Sequence, residues 1–157
     1  MAKLRLLALI GALSLWGLAG PAFGQTHVGV RAGVSASPNQ FFAGMHLETE
    51  PLLPRVTFRP NLEVGVGDGL SLATINLEFV YTVDIDAKPW KVYIGGGPAA
   101  VISAFHAGHP RRPDRSDVGG GFNLLVGAQH DQGLFVELKV GALDSPSAKF
   151  TVGYAFR

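Results

Sequence analysis

Apolar and polar residues alternate through nearly the whole chain after residue 26. The pattern is clearest in the last nine residues, KFTVGYAFR, where the large apolar side chains fall on one side of a two-residue period: Phe150, Val152, Tyr154 and Phe156. The other side carries small or short side chains: Thr151, Gly153 and Ala155. This period predicts a β-strand with one apolar face, because successive side chains of a strand point to opposite faces.

The same alternation recurs in eight segments, and no part of the chain after residue 26 shows a sustained helical period. We predict strands near residues 27–36, 40–48, 55–66, 70–83, 89–104, 118–130, 133–143 and 148–156. Runs containing Gly, Pro, Asn and Asp separate most of them, which is typical of turns. The predicted fold is all-β, with eight antiparallel strands in up-and-down order.

One face of the predicted strands is apolar, and the other is dominated by Gly, Ala, Thr and Asn with few charges. Two barrels fit this pattern: a soluble barrel with an apolar lumen, and a transmembrane barrel with an apolar outer wall. A solvated surface usually carries many charges, whereas small residues suit the narrow interior of an eight-stranded barrel. The polar face therefore favours a transmembrane β-barrel.

Aromatic residues are predicted to form two girdles at the ends of the strands. One group lies on the side of the chain termini: Tyr81, Trp90, Tyr154 and Phe156. The other group lies at the opposite strand ends: Phe41, Phe105, Phe122 and Phe150. Two such rings, separated by Val, Leu and Ala, are typical of barrels whose aromatic side chains sit at the two bilayer interfaces.

The N-terminus has the pattern of a secretory signal peptide. Lys3 and Arg5 begin an apolar run that continues to Leu18, and Ala22-Phe23-Gly24 is typical of a cleavage site. We predict that residues 1–24 are removed and that residues 25–157 form the barrel domain. Removing Lys3 and Arg5 from the 13 basic residues leaves 11 against 12 acidic residues, a formal charge of −1 that does not favour nucleic acid. The chain has no Cys, so no disulfide or thiolate site is expected.

Four segments resemble the small outer-membrane β-barrel family related to outer-membrane protein A: VGVRAGVSASPNQFFAGMHLE, VYIGGGPAAVISAF, GFNLLVGAQHDQGLFVELKVGA and FTVGYAFR. The resemblance spans essentially the whole mature chain. It implies a barrel in a Gram-negative outer membrane, with both termini in the periplasm, residues 106–117 as the longest outside loop, and a short inside turn at residues 130–133. It also implies contact with outer-membrane lipids and lipopolysaccharide, and insertion by the barrel-assembly machinery. The family usually ends on an aromatic residue, whereas here Arg157 follows Phe156.

Charged residues of the strands are expected to face the lumen, because a cation at the bilayer midplane costs roughly 2–4 kcal/mol. Tight turns set the neighbours: one at Pro38-Asn39 sets Arg31 opposite His46, and one centred on Asp68 sets Arg59 opposite Glu78 and Asn61 opposite Asn76. We predict a network that fills the lumen and leaves no open pore, formed by Arg31, His46, Arg59, Glu63, Glu78, Glu137 and Lys139. A gated ion path through these residues is the alternative.

Other candidates carry weaker signals. Arg111, Arg112 and Arg115 are candidates for contact with lipopolysaccharide phosphates. A metal site at His106, His109 and Asp114 is not expected, because a loop rich in Pro and Gly does not preorganise ligands. No catalytic residue, cofactor or metal is expected. Pro60 and Pro98 lie inside strands, where we expect a bulge or irregularity beside each.

These features predict a monomeric outer-membrane barrel with a structural or surface-interaction role and no catalysis. Two alternatives stay open. A soluble periplasmic barrel that binds an apolar ligand requires Val28, Leu77 and Leu138 to face the lumen. A lipid-modifying outer-membrane enzyme requires a reactive triad on the outer wall.

Overall fold

The computed structural model describes residues 26–105 and 115–157. The predicted signal peptide and residues 106–114 of the predicted outer loop lie outside the described residues. The described chain forms eight strands: β1 (His27–Ala36), β2 (Gln40–Glu48), β3 (Val56–Gly67), β4 (Leu70–Thr82), β5 (Trp90–Phe105), β6 (Arg115–His130), β7 (Leu134–Leu143) and β8 (Ala148–Phe156). Within these residues, no helix is long and apolar enough to cross a membrane.

All eight strands pair with their neighbours in chain order and form one closed antiparallel barrel. The last strand closes the barrel by pairing with the first, so that Phe156 lies opposite Val28 and Ala148 opposite Ala36. Closure removes the two free edges that an open sheet would expose. The predicted all-β, eight-stranded up-and-down barrel is therefore confirmed.

The strand limits differ from the predicted ones by at most one residue except at the start of β6. Residues 115–117 were predicted to belong to the outer loop, but they extend the β5–β6 ladder, with Arg115 opposite Phe105 and Asp117 opposite Ser103. The sequence does not reveal this extension, because Arg115, Ser116 and Asp117 are all polar and follow directly on residues rich in Arg, Pro and Asp. The loop prediction was wrong for these three residues.

The apolar face of the strands forms the outer wall of the barrel. Val28, Leu77 and Leu138 expose 49%, 42% and 56% of their surface on that wall. The soluble-barrel alternative required all three in the lumen, so that alternative is wrong. The interior instead contains most of the buried polar and charged residues.

The β1–β2 register differs from the predicted one. Arg31 lies opposite Gly44, and His46 lies opposite Gly29, so the predicted Arg31–His46 pair is wrong. The turn is centred one residue earlier than predicted: Ser37 takes the left-handed conformation, with a φ of 50°, and the Ser35 hydroxyl donates to the Pro38 carbonyl. A one-residue shift of the centre moves each partner by two residues, so both side chains keep their inward face.

The β3–β4 register is the predicted one. Arg59 lies opposite Glu78, and Asn61 lies opposite Asn76. The turn between these strands contains Asp68, whose φ is 50°, and the Asp68 carboxylate accepts a hydrogen bond from the Asn39 amide of the β1–β2 turn at 2.8 Å. The two turns at this end of the barrel are therefore tied together.

Neither proline inside a strand produces a bulge, but each interrupts one ladder, which is the irregularity predicted beside it: the β2–β3 pairs end with His46 opposite Asn61, next to Pro60. Pro60 stays in register with Leu77 of β4, and the register is constant on both sides of it. Pro98 stays in register with Phe122 of β6, while the ladder to β4 skips two pairs and resumes with Phe79 opposite Gly96 in the same register. An antiparallel residue bonds directly to one neighbouring strand at a time, so each missing donor weakens one ladder without shifting it.

Candidate functional site

The barrel interior brings together residues from nearly every strand, and Glu63 of β3 is bound by three cations there. Lys149 Nζ lies 2.6 Å from Glu63 Oε2, Arg31 Nη1 lies 3.2 Å from Oε1, and Lys139 Nζ lies 3.7 Å from Oε1. The Thr74 hydroxyl is also 3.4 Å from Oε2. These side chains expose at most 5% of their surface, so the charges compensate one another with little help from water.

Glu78 and Glu137 extend the network from Glu63 through Lys139. Lys139 Nζ lies 2.6 Å from Glu78 and 3.6 Å from Glu137. Glu137 also lies 3.6 Å from Arg31 and 3.7 Å from Arg59, and it accepts a hydrogen bond from the Tyr93 hydroxyl at 3.1 Å. Lys139 thus contacts three carboxylates, whereas cross-strand neighbours Arg59 and Glu78 bind other partners.

A row of amides continues the network around the interior. Asn123 donates to the Asn76 carbonyl oxygen at 2.7 Å, Asn76 donates to Asn61 at 2.7 Å, and Asn61 donates to the Glu78 carboxylate at 2.8 Å. The row crosses from β6 to β4 and β3. It ends on a charged acceptor, which strengthens the last hydrogen bond.

Arg59 and Glu48 lead from this network to the end of the barrel that carries both termini, called here the termini-side mouth. Arg59 Nη2 lies 3.4 Å from Gln129 Oε1 and 3.6 Å from Glu48. Glu48 also accepts from Gln129 at 3.2 Å and from Arg157 at 3.1 Å. Lys91 lies at the rim of this mouth and pairs with Asp131 at 3.1 Å.

The buried interior charges are balanced. In the described part of the chain, the buried cations are Arg31, Arg59, Lys139 and Lys149, and the buried carboxylates are Glu48, Glu63, Glu78 and Glu137. An isolated buried ion costs several kcal/mol, and the cost is offset only where opposite charges lie close with good geometry. Each of these eight side chains has an opposite charge within 3.6 Å, so each ion depends on the others.

Each buried aromatic or imidazole ring of the described residues lies against a glycine directly opposite on the neighbouring strand. The pairs are Phe42 with Gly33, His46 with Gly29, Tyr93 with Gly127, and Phe135 with Gly153. A Cβ atom added at any of these glycines would overlap the ring. The many glycines of the polar face therefore make room for large inward side chains.

Two of these rings pack against the buried guanidinium groups. The Arg59 guanidinium lies 4.6 Å from the Tyr93 ring centre, and the Arg31 guanidinium lies 5.4 Å from that of Phe135. His46 packs edge-on against Phe135 at 5.1 Å, and neither of its ring nitrogens has a hydrogen-bond partner among the described residues. Cation–π contacts of this kind stabilise guanidinium groups away from water.

The structure places all seven predicted lumen residues in the interior and brings them together with several that the sequence analysis missed. The missed residues are Glu48, Tyr93, Gln129, Phe135 and Lys149. Gln129 belongs to the network because it donates a hydrogen bond to Glu48. Lys149 has the same phase as Thr151, and Glu48 has the same phase as His46, so the two-residue period contained the signal. The inward direction of Phe135 was harder to infer, because Leu134, Phe135 and Val136 are all apolar and the alternation of apolar and polar residues is lost there.

The predicted girdle residues lie on the outer wall where they are described. Tyr81, Tyr154 and Phe156 are exposed near the termini-side mouth, and Trp90 is half-buried against His130 with ring centres 5.1 Å apart. Phe41, Phe122 and Phe150 are exposed in the opposite half. The side chains of Phe105 and Arg115, and all of Arg111 and Arg112, lie outside the described part.

Metal ligands do not cluster in the described residues: no group of three or more His, Cys, Asp or Glu side chains is arranged to hold an ion there. The weak candidates His106, His109 and Asp114 lie in the part of the chain that is not described.

Comparison with known proteins gives matches at the level of structure. The N-terminal β-barrel domain of Pseudomonas aeruginosa OprF matches with a TM-score of 0.61 at 12% identity, over 83% of this chain and 96% of that one. Neisserial surface protein A (NspA) matches with a TM-score of 0.63 at 11% identity, over 83% of this chain and 94% of that one. The fold is that of the small outer-membrane barrels. No family model and no curated protein sequence matches this chain.

Charge balance in this outer-membrane-type barrel can be tested at Glu63. The substitution Glu63→Gln is expected to lower the free energy of unfolding by about 3–5 kcal/mol, because three buried cations lose their shared carboxylate. Adding Lys149→Gln restores equal numbers of buried charges and should recover part of the loss. The measurement is urea-induced unfolding in phospholipid vesicles, followed by gel mobility without heating.

The control is Arg55→Gln, which breaks the exposed Arg55–Asp84 pair at 2.6 Å and should leave the urea midpoint unchanged. A double variant less stable than Glu63→Gln alone would contradict charge balance as the cause.

The pairing of rings with glycines predicts a specific cost at Gly127. The atoms nearest to a Cβ added there all belong to the Tyr93 ring, so Gly127→Ala is expected to destabilise the barrel by about 1–3 kcal/mol. The same unfolding measurement on Gly127→Ala, Tyr93→Leu and the double variant should give a favourable coupling energy. Gly120→Ala on the same strand has nothing within 4 Å and is the matched control. Additive effects of Gly127→Ala and Tyr93→Leu would refute the steric explanation.

Proposed function

We propose that the protein is an integral β-barrel of a Gram-negative outer membrane with a structural or surface-interaction role and no catalytic activity. The observation that carries the proposal is the division of the barrel wall. Large apolar side chains are exposed all around the outside, whereas four basic and four acidic side chains are buried inside. A bilayer requires this arrangement, because it solvates apolar side chains and leaves no water for backbone groups or charges.

In this proposal both termini lie in the periplasm, and the connection between β5 and β6 lies outside the cell. The longest connection, residues 106–114, joins β5 and β6 at the end opposite the termini, as in barrels whose longer loops lie outside the cell. The barrel would be monomeric, because closure leaves no strand edge for a second copy. Outer-membrane lipids would contact the wall, lipopolysaccharide would contact the outer end, and the barrel-assembly machinery would insert the chain.

The same proposal holds that the lumen is closed to ions. Support comes from the interior contacts, in which Lys139 reaches carboxylates on β3, β4 and its own strand, and from inward rings of Phe42, Tyr93 and Phe135 that occupy space between them. Eight strands enclose an interior just wide enough for such side chains. The role of the barrel would therefore lie in its wall and its outer end.

Membrane insertion predicts that a charge on the outer wall is costly at mid-strand and tolerated at a turn. Leu138 lies in the middle of β7, and Leu138→Arg is expected to destabilise the barrel in phospholipid vesicles by about 2–4 kcal/mol. Gln132→Arg in the preceding turn is the matched control and should have little effect. The wild-type protein should remain in the membrane fraction after carbonate extraction and should migrate differently before and after heating. Release by carbonate, or equal effects of the two Arg variants, would argue against insertion.

A closed lumen predicts no stepwise conductance. The purified barrel, reconstituted in a planar lipid bilayer, should leave the baseline current unchanged at voltages where an open porin gives clear steps. Reproducible steps that require the folded protein would overturn the closed-lumen part of the proposal without affecting membrane location.

A further inference from the structure

The termini-side mouth contains a cavity of about 250 Å³. Its lining includes the buried Arg59 and the rim cations Lys91 and Arg157, together with Glu48, Tyr93 and Val80. The cavity lies between the ionic network and the open end of the barrel, so a molecule can reach it from that end. The function proposed above assigns no ligand to this cavity.

Arg59 has hydrogen-bond donors to spare. Its side chain is 3% exposed, and its Nε and Nη1 atoms have no hydrogen-bond partner in the described structure. The nearest carboxylate oxygens are 3.6 Å away on Glu48 and 3.7 Å away on Glu137, beyond the distance of a good N–H···O bond. A guanidinium offers five donors in a fork that matches a carboxylate. The buried group is therefore paired in charge but short of acceptors.

The charges of the lining favour an anion. Three cationic side chains, Arg59, Lys91 and Arg157, line the cavity with two carboxylates, Glu48 and Glu50. Glu48 already accepts hydrogen bonds from Arg157 and Gln129. An entering cation would meet in Glu48 a carboxylate that already accepts two hydrogen bonds. An entering anion would instead meet Arg59 Nη2, whose contacts with Gln129 and Glu48 are long, at 3.4 and 3.6 Å.

The size and the apolar part of the lining favour an organic anion. An apolar cavity of about 150 Å³ holds a benzene molecule, so about 250 Å³ has room for a small organic acid. The Tyr93 ring lies 4.6 Å from the Arg59 guanidinium, and Val80 lines the same cavity. An anionic head at Arg59 would therefore leave a short apolar tail against Tyr93 and Val80.

We propose that the termini-side cavity binds a small organic carboxylate, with the carboxylate on Arg59 and the apolar tail against Tyr93 and Val80. This site goes beyond the structural role proposed above. It depends on the interior of the folded barrel and not on the membrane in which the barrel resides.

The test is a titration of the isotope-labelled barrel, folded in detergent micelles, with butyrate, inorganic phosphate and butylamine. Butyrate should produce saturable NMR shifts at the Arg59 Nε–H and at the Lys91 backbone amide, and it should bind more tightly than phosphate or butylamine. Tighter binding of phosphate would overturn the organic-acid assignment. Tighter binding of butylamine would overturn the charge argument. Shifts that never saturate would overturn the site itself.

Variants that keep Arg59 intact separate the site from the fold. Thr57→Phe fills the cavity without changing a charge and should weaken butyrate binding at least tenfold, because Thr57 lines the cavity. Lys91→Gln removes a rim cation and should weaken butyrate binding about threefold. Lys88→Gln removes a cation outside the lining and should leave butyrate binding unchanged. Folding of each variant is checked by heat-dependent gel mobility, and equal affinities for wild type and a folded Thr57→Phe would refute the proposal.

Discussion

The mutual neutralisation of buried charges is the constraint on which the rest of this barrel depends. Glu63 alone is contacted by cations from three other strands, β1, β7 and β8. These contacts tie distant parts of the sequence together, since Lys149 and Glu63 are 86 residues apart. Ladder hydrogen bonds hold each strand only to its two neighbours, whereas the ions connect strands across the interior. Removing one ion would leave its partners buried and uncompensated, which costs more than losing a single contact.

A second constraint is volume, and it explains why the polar face contains so many glycines. Rings and long cations converge on the axis of a barrel that has little space inside. The sequence accommodates the four buried rings Phe42, His46, Tyr93 and Phe135 by placing a glycine across the ladder from each, as with Gly127 and Tyr93 or Gly153 and Phe135. The rings of Phe135 and Tyr93 in turn pack against the guanidinium groups of Arg31 and Arg59. The same rings therefore fill the interior and contact the buried cations.

Much of this fold could be predicted from the sequence, because a strand with one lipid-like and one polar face leaves a two-residue period. That period identified the strands and the side of the wall on which Leu138 and Lys139 lie. Register was predictable only where a turn fixed it: Asp68 and its glycines did so for β3–β4, whereas the corner at Ser37 was displaced by one residue and moved Arg31 away from His46. The prolines were harder, because the ladder tolerates a missing donor without a bulge.

The partners of each ion could not be predicted, because they depend on closure. Cross-strand neighbours are set by turns, but Arg31 meets Glu137 only after β8 has paired with β1 and brought β7 near. The termini-side mouth shows the same dependence: Arg157 and Glu48 are far apart in sequence and join beside Arg59. At this mouth Arg59 has only long contacts, 3.4 Å to Gln129 and 3.6 Å to Glu48. Arg59 is therefore the buried cation at this mouth with capacity for a further acceptor, because its contacts there are long and the cavity reaches it.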